Sequence, residues 1–307
     1  MSNTYNMHPY HIIYNPYANR GGAERYKDAF VALLKRAGEE YILHETTGPG
    51  HATAITRDIV SLGAKYIVIL GGDGTVHEVI NGYAQVVDDA ICDVVFGIIP
   101  AGTGNDVASM LRIPHALEDI AVAAADILAK NVRSVDFIQS RQGIQTMLFF
   151  SYGIAAVMVQ EMEKFKTKTK FSYYKSLIKK IFSFKANTYE VHYDGQTRTL
   201  RADFCAVHNC IHAGAGMTLI NNAVMDDGYA ELLMVENRGI LRRILNFISI
   251  LRKRIHKQPN VQIVPVKNVI INSPDDNLCC IDGEIRYLNR LELEVQHKAI
   301  KIFGNAN

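Results

Sequence analysis

The 307-residue chain has no tryptophan, only eight prolines and only five cysteines. The cysteines (Cys92, Cys205, Cys210, Cys279 and Cys280) are odd in number and follow no framework spacing. That excludes a disulfide-stapled secreted scaffold and points to a reducing compartment. No run approaches the roughly 18 consecutive apolar residues of a spanning helix, so any membrane contact would be peripheral. The N-terminus, MSNTYNMHPYHIIYNP, has neither a basic n-region nor a long apolar core. It does not read as a signal peptide, and a cytoplasmic protein is expected. A net charge of only +2 argues against a general nucleic-acid binder. A Walker P-loop and a GxGxxG fingerprint are both missing, which excludes a P-loop kinase and argues against an ordinary Rossmann dehydrogenase. No internal repeat is visible.

What is present begins with Tyr66–Tyr83, YIVILGGDGTVHEVINGY. The uninterrupted run Tyr66-Ile67-Val68-Ile69-Leu70 suits a strand buried on both faces of a parallel sheet. Gly71, Gly72 and Gly74 then give a tight turn, and helical spacing resumes at Val76, Val79, Ile80 and Tyr83. A turn between a buried strand and a helix N-terminus presents bare N–H groups and the positive end of a dipole, which suits phosphate. Asp73 would repel polyphosphate unless a cation lay between them, so the stretch reads as a nucleotide–metal loop. A plain glycine turn with Asp73 capping the helix is the alternative.

Three more strand ends carry polar or glycine-rich residues: Asn15-Pro16, Thr46-Thr47 and Pro100–Asp106. Strands alternating with helices at this spacing predict a parallel α/β sheet, in which ligands lie beyond the carboxyl ends of the strands. Thr103 can offer a hydroxyl to phosphate, while Asn105 or Asp106 can cap the next helix and hold the loop against the Gly71–Thr75 turn. Glu118–Lys130 predicts one amphipathic helix. Beyond about residue 133 the pattern changes to many short strands with turn dipeptides such as Asp194-Gly195 and Asp227-Gly228, which predicts an antiparallel sandwich. The expected organisation is a nucleotide-binding α/β domain over 1–133, joined by the tail 296–307, and a β-sandwich substrate domain over 134–295.

Gly71-Gly72-Asp73-Gly74-Thr75 followed by Pro100-Ala101-Gly102-Thr103-Gly104-Asn105-Asp106 resembles the diacylglycerol kinase catalytic family, in particular its soluble bacterial lipid kinases. Asn15-Pro16 fits too, although Tyr17–Gly22 (YANRGG) departs from the small residue, Ser and Gly that usually follow. The resemblance implies an N-terminal α/β fold like that of NAD kinases and diacylglycerol kinases. It also implies transfer of the γ-phosphate of ATP to a lipid hydroxyl with Mg²⁺. ATP would lie across Asn15, Pro16, Thr46, Thr47, Gly71, Gly72, Asp73, Gly74, Thr75, Gly102 and Thr103, with Asp73 acting through the metal and its waters.

Two later motifs gain meaning from the same resemblance. Val224-Met225-Asp226-Asp227-Gly228-Tyr229 is by itself an Asx turn. The family has a structural magnesium site there, implying Asp227 with the backbone of Val224 and Tyr229, an oxygen set that Mg²⁺ prefers. Cys279-Cys280-Ile281-Asp282-Gly283-Glu284-Ile285 is by itself a hairpin with a solvated Glu. The resemblance makes Glu284 the general base.

Charge supplies the remaining signal. Lys164–Lys185 holds eight lysines and no acid among Phe and Tyr residues. Gly239–Lys257 sets Arg242, Arg243, Arg252, Lys253, Arg254 and Lys257 around Leu241, Ile244, Leu245, Ile248 and Leu251. Both suit the surface of an anionic bilayer, and each also suits a solvated helix face. Cys205, His208, Cys210 and His212 lie in or after a strand whose side chains alternate between faces, which disfavours a zinc site. A kinase with a soluble acceptor such as NAD, and a non-catalytic lipid- or nucleotide-binding regulator, are the alternative functions. A homodimer is compatible with the sequence, and no nucleic-acid partner is expected.

Overall fold

The structure, a computed structural model, describes residues 8–86, 93–163, 170–212, 217–274 and 278–305. Cys92 and residues 164–169, where the basic stretch begins, lie outside the described residues. The chain divides into two compact units, Met1–Val135 with Lys298–Asn307, and Asp136–His297.

The first unit contains β1 (Tyr10–Tyr14), α1 (Ala23–Ala37), β2 (Tyr41–Glu45), α2 (His51–Ser61), β3 (Tyr66–Gly71), α3 (Asp73–Ala84), β4 (Val95–Pro100) and the short α4 (Asp106–Met110). The four strands are parallel in the order β2-β1-β3-β4. Lys301 and Ile302 add a further parallel pairing beside β4. β3 has the expected buried run, with Ile67 through Leu70 all at most 1% exposed. On one face of the sheet, Phe30 and Leu34 of α1 pack with Ile12, Val68, Leu70 and Ile99. Strand β1 has β2 on one side and β3 on the other, so the strand order reverses beside it. That reversal is the topological switch point at which open α/β sheets bind ligands. The expected helix over Glu118–Lys130 is instead broken into α5 (Ile120–Ala123) and α6 (Ala125–Ala129), with Ala124 fully buried between them.

β5 (Val132–Ser140) carries the chain into the second unit. There follow β6 (Gln145–Thr146), β7 (Phe149–Gly153), α7 (Ile154–Glu163), α8 (Lys170–Ser183), β8 (Asn187–Tyr193), β9 (Gln196–His208), β10 (Ala230–Glu236), α9 (Ile240–Leu251), β11 (Val261–Val266), β12 (Asn268–Asn272), β13 (Leu278–Ile281), β14 (Glu284–Tyr287) and β15 (Arg290–Phe303). The pairs β5–β6, β7–β9, β7–β13, β8–β9, β8–β12, β9–β10, β10–β11, β12–β15 and β13–β14 are antiparallel. The long β9 serves two neighbourhoods: its first half pairs with β8, and its second half with β7 and β10. Tyr152, Tyr189, Val207, Leu232 and Ile271 meet in the core, each at most 1% exposed.

Candidate functional site

In the first unit, register alone brings the strand ends together. Tyr14 of β1 stands beside Glu45 and Leu70, and Gly71 stands beside Pro100. Backbone bonds continue this alignment past the strands: Thr46 N–H donates to Tyr14 O at 2.8 Å, Asn15 N–H to Leu70 O at 3.0 Å and Ala101 N–H to Gly71 O at 2.9 Å. Asn15 then ties two loops, its Nδ2 donating to Thr75 Oγ1 at 3.1 Å and its Oδ1 accepting the Tyr17 N–H at 3.0 Å.

The two glycine turns touch backbone to backbone. A Cβ on Gly102 would lie 2.4 Å from the Gly72 Cα, and one on Gly72 would lie 3.0 Å from the Gly102 Cα. The first approach is closer than a side chain tolerates, so glycine is required at position 102, and the second leaves a side chain at position 72 only a tight fit. Asn105 locks the arrangement from its left-handed backbone (φ 58°), its amide accepting the Gly102 N–H at 3.0 Å and donating to Gly102 O at 3.1 Å. Its side chain therefore holds the loop and makes no cap on α4. The cap comes from Asp73, whose Oδ1 accepts the Val107 N–H at 3.0 Å. Asp73 also sits in the first turn of α3, so its charge serves two helix N-termini, where anions are favoured. Around this junction Gly74, Thr103 and Gly104 are exposed, whereas the Thr46 and Thr75 side chains are buried. Thr47 is exposed and its N–H donates to His51 Nδ1 at 3.0 Å.

Glu78 is a residue that sequence reading missed. Its carboxylate accepts the Gly50 and Ala52 N–H groups at 2.8 and 3.0 Å, filling the N-terminus of α2 and fixing the Thr46–Gly50 loop to α3. The signal was an acid five positions after Asp73, with no acid in the first turn of α2 to cap it locally.

In the second unit, Asp282 (φ 48°) and Gly283 (φ 91°) form the turn between β13 and β14, a pair of positive φ values that suits a two-residue hairpin. Asp282 Oδ1 accepts the Phe149 N–H at 3.0 Å and is hydrogen-bonded to Thr146. Glu284 follows as the first residue of β14, its side chain 35% exposed, and Arg286 Nη2 donates to it at 2.7 Å. The carboxylate is thus accessible and held on a fixed turn.

The Val224–Tyr229 turn is built around Asp136, which is fully buried. Asp136 accepts the Gly228 N–H at 2.7 Å and pairs with His297 Nδ1 at 3.0 Å. Asp227 is exposed and its Oδ1 accepts the Tyr229 N–H at 3.0 Å, an Asx turn. Burial first, and the charge of Asp227 second, raise the pKa of Glu231, so a second carboxyl group stands near the first. Among the described residues no three His, Cys, Asp or Glu side chains cluster as a metal site. A donor set of one accessible carboxylate, flanking carbonyls and water fits a hard, hydrated cation.

Arg243 departs from its expected place on the basic surface. It is 9% exposed, its Nη2 donates to Asp203 at 2.7 Å, and its Nη1 donates to Ile181 O and Phe184 O. Its position on α9 faces the core, where a guanidinium needs a carboxylate partner.

Comparison with known proteins extends this reading over most of the chain. The family profile "Diacylglycerol kinase catalytic domain" matches residues 9–140, and "YegS C-terminal NAD kinase beta sandwich-like domain" matches residues 149–304. A "Diacylglycerol kinase" of Bacillus subtilis (strain 168) is 25% identical over 274 residues, covering 89% of this chain and 88% of that one. A "Diacylglycerol kinase" of Staphylococcus saprophyticus is 29% identical over 283 residues with the same coverage. The crystal structure of a diacylglycerol kinase from Bacillus anthracis str. Sterne shares the fold, with a TM-score of 0.74, 23% identity and 98% of each chain covered. The paired glycine turns of the first unit and the antiparallel second unit each fall within a matching family profile, and the chain belongs to the diacylglycerol kinase catalytic-domain family, with the YegS-type C-terminal domain.

Proposed function

We propose that the protein is an ATP-dependent kinase that transfers the γ-phosphate to a hydroxyl of a membrane lipid such as diacylglycerol. The observation that carries the nucleotide half is the backbone contact of Gly72 with Gly102 beyond the ends of β3 and β4, next to the switch point, beside the exposed Gly74, Thr103 and Gly104. Small residues and a helix N-terminus there leave room for phosphate against main-chain N–H groups. Asn15, Pro16, Thr46, Thr47, Gly71 and Thr75 frame the same strand ends. Asn15, Thr46 and Thr75 do so through the backbone and side-chain bonds that hold the loops, not through free side chains. Glu284 is the base that accepts the lipid hydroxyl proton, consistent with its accessibility. Asp227, with the backbone of Val224 and Tyr229, would hold Mg²⁺. That ion is structural, whereas a metal held through Asp73 and its waters would supply neutralising charge to a reaction that depends on positioning and electrostatics.

The lipid half is supported by the second unit. No helix among the described residues is long and apolar enough to cross a membrane. α9 nevertheless exposes Leu241 (76%), Leu245, Ile248 and Leu251, and α8 exposes Ile178 and Phe182 (66%). Lys179, Arg252, Lys253, Arg254 and Lys257 are also exposed. An apolar stripe with basic neighbours suits peripheral contact with an anionic bilayer. Beneath α9, Ile154, Met158, Phe204, Leu233, Phe247 and Ile250 line an apolar pocket that opens to solvent, a lining suited to an acyl chain. The test is transfer of labelled γ-phosphate from ATP to diacylglycerol in anionic vesicles, with NAD as a soluble competitor acceptor. Labelled lipid supports the reading, and labelled NAD alone would replace it with a soluble-acceptor kinase.

A further inference from the structure

The cavity beneath α9 is apolar except for one buried polar set. Asp203, Arg243 and Asn246 line it, and they are 3%, 9% and 5% exposed. Arg243 spends its two terminal nitrogens on Asp203, Ile181 O and Phe184 O. Asp203 Oδ1 also accepts from Asn237 at 2.8 Å. Asn246 follows Arg243 by three residues and so lies on the same face of α9. Both atoms of its amide are buried and lack a hydrogen-bond partner, as do Arg243 Nε and Asp203 Oδ2. Two donors and two acceptors are thus gathered at the wall of a cavity whose other lining side chains are apolar.

A buried amide without a partner is costly, and natural proteins rarely leave one without a reason. Removing it would be simple, since leucine at this position would match the apolar lining. A plain hydrocarbon chain in the cavity would leave the amide unpaired. A chain carrying a hydroxyl would satisfy both of its atoms, because a hydroxyl donates and accepts. A site built to hydrogen-bond a ligand hydroxyl discriminates strongly against the analogue that lacks it.

We propose that Asn246 makes this cavity selective for a lipid whose hydrocarbon chain bears a hydroxyl group within the cavity, in preference to an unsubstituted chain. Choosing an acyl chain as occupant rests on the lipid-kinase reading, whereas the preference for a hydroxyl rests on the unpartnered amide. The experiment is equilibrium binding to the full chain, without nucleotide, of stearate and a positional series of monohydroxystearates. At least one isomer is expected to bind about tenfold or more tightly than stearate. In Asn246→Leu that advantage should vanish while stearate binds more tightly. Equal binding of stearate and every isomer to the wild-type protein would overturn the proposal, as would binding of none of them. A hydroxyl preference that persists in Asn246→Leu would remove Asn246 from its role. Phosphate transfer is not measured, so a failure of the kinase reading would show separately, as hydroxylated chains that bind and no lipid that is phosphorylated.

Discussion

The carboxylate of Asp73 and the backbone N–H of Val107 meet at 3.0 Å across 34 residues. The acid of the first glycine turn therefore caps the helix that leaves the second. Structural and electrostatic roles are combined in one side chain, and two substitutions separate them. Asp73→Asn keeps an oxygen for Val107, whereas Asp73→Ala removes it. Asp73→Ala should lose about 1 kcal/mol more stability in urea unfolding than Asp73→Asn. Both should lose at least about 100-fold in phosphate transfer, because the charge is gone in each. Full activity in Asp73→Asn would limit the residue to capping.

The contact of Gly72 with Gly102 makes a second expectation. In Gly102→Ala the added Cβ would lie 2.4 Å from backbone, so the loops must separate, at about 1–3 kcal/mol. Nothing lies within 4 Å of a Cβ on Gly74, and Gly74→Ala should leave the unfolding midpoint nearly unchanged. Equal midpoints for the two variants would refute the close approach.

Stability should fall with acid through three histidines. His11 Nδ1 and His44 Nε2 are 3.0 Å apart with their rings stacked. Burial lowers both pKa values, and the charge of His44 lowers that of His11 further. His208 is pushed down to about 3 by burial, between Phe149 and Phe204. Each folded-state pKa lies below the unfolded value of about 6.5, so the unfolded chain binds protons first as pH falls. The stabilisation is complete above about pH 7 and is lost progressively below 6.5. Urea unfolding at pH 7.5, 6 and 5 (about these values) reads the slope, and His11→Asn should flatten its upper part. A slope of opposite sign would contradict this assignment.

Vesicle binding should depend on α9 in two ways. Neutralising Arg252 or Arg254 should weaken binding to anionic vesicles about fivefold for each charge, and added salt should do the same. Leu241→Asp should weaken binding to neutral and anionic vesicles alike. Co-sedimentation measures both, and unchanged binding in Leu241→Asp would remove the exposed stripe from the membrane.

How much of this was legible before the structure depends on the range over which each signal acts. The buried run Tyr66–Leu70, the glycine turns and the alternation of strands and helices are local patterns, and they predicted the parallel sheet and the junction of its strand ends. The antiparallel second unit was legible through its turn dipeptides, among them Asp194-Gly195, both with positive φ. The roles of single polar residues were not. Asn105 read as either a helix cap or a brace for its loop, and only its left-handed backbone decides between them, turning it onto Gly102 and leaving the cap to Asp73. Arg243 carried the same sequence signal as Arg242, and only the rotation of α9 puts one beside Asp203 and the other within reach of Gln258 at 3.2 Å. Glu78 and Asp136 act on backbone N–H groups 26 and 92 positions away, and for Glu78 the local sequence shows only that α2 has no acid of its own in its first turn, not which acid replaces it.

Glu284 is the residue on which the kinase account turns, so its substitution is the most direct test. Labelled γ-phosphate transfer from ATP to diacylglycerol should be measured with Mg²⁺ for the wild-type protein and Glu284→Gln, alongside ATP affinity for each. Labelled lipid is expected from the wild type, with loss of at least about 100-fold in the variant and little change in ATP affinity. Lipid labelled equally by both proteins would contradict the assignment of Glu284 as the base. No labelled lipid from the wild type would contradict the diacylglycerol kinase reading itself.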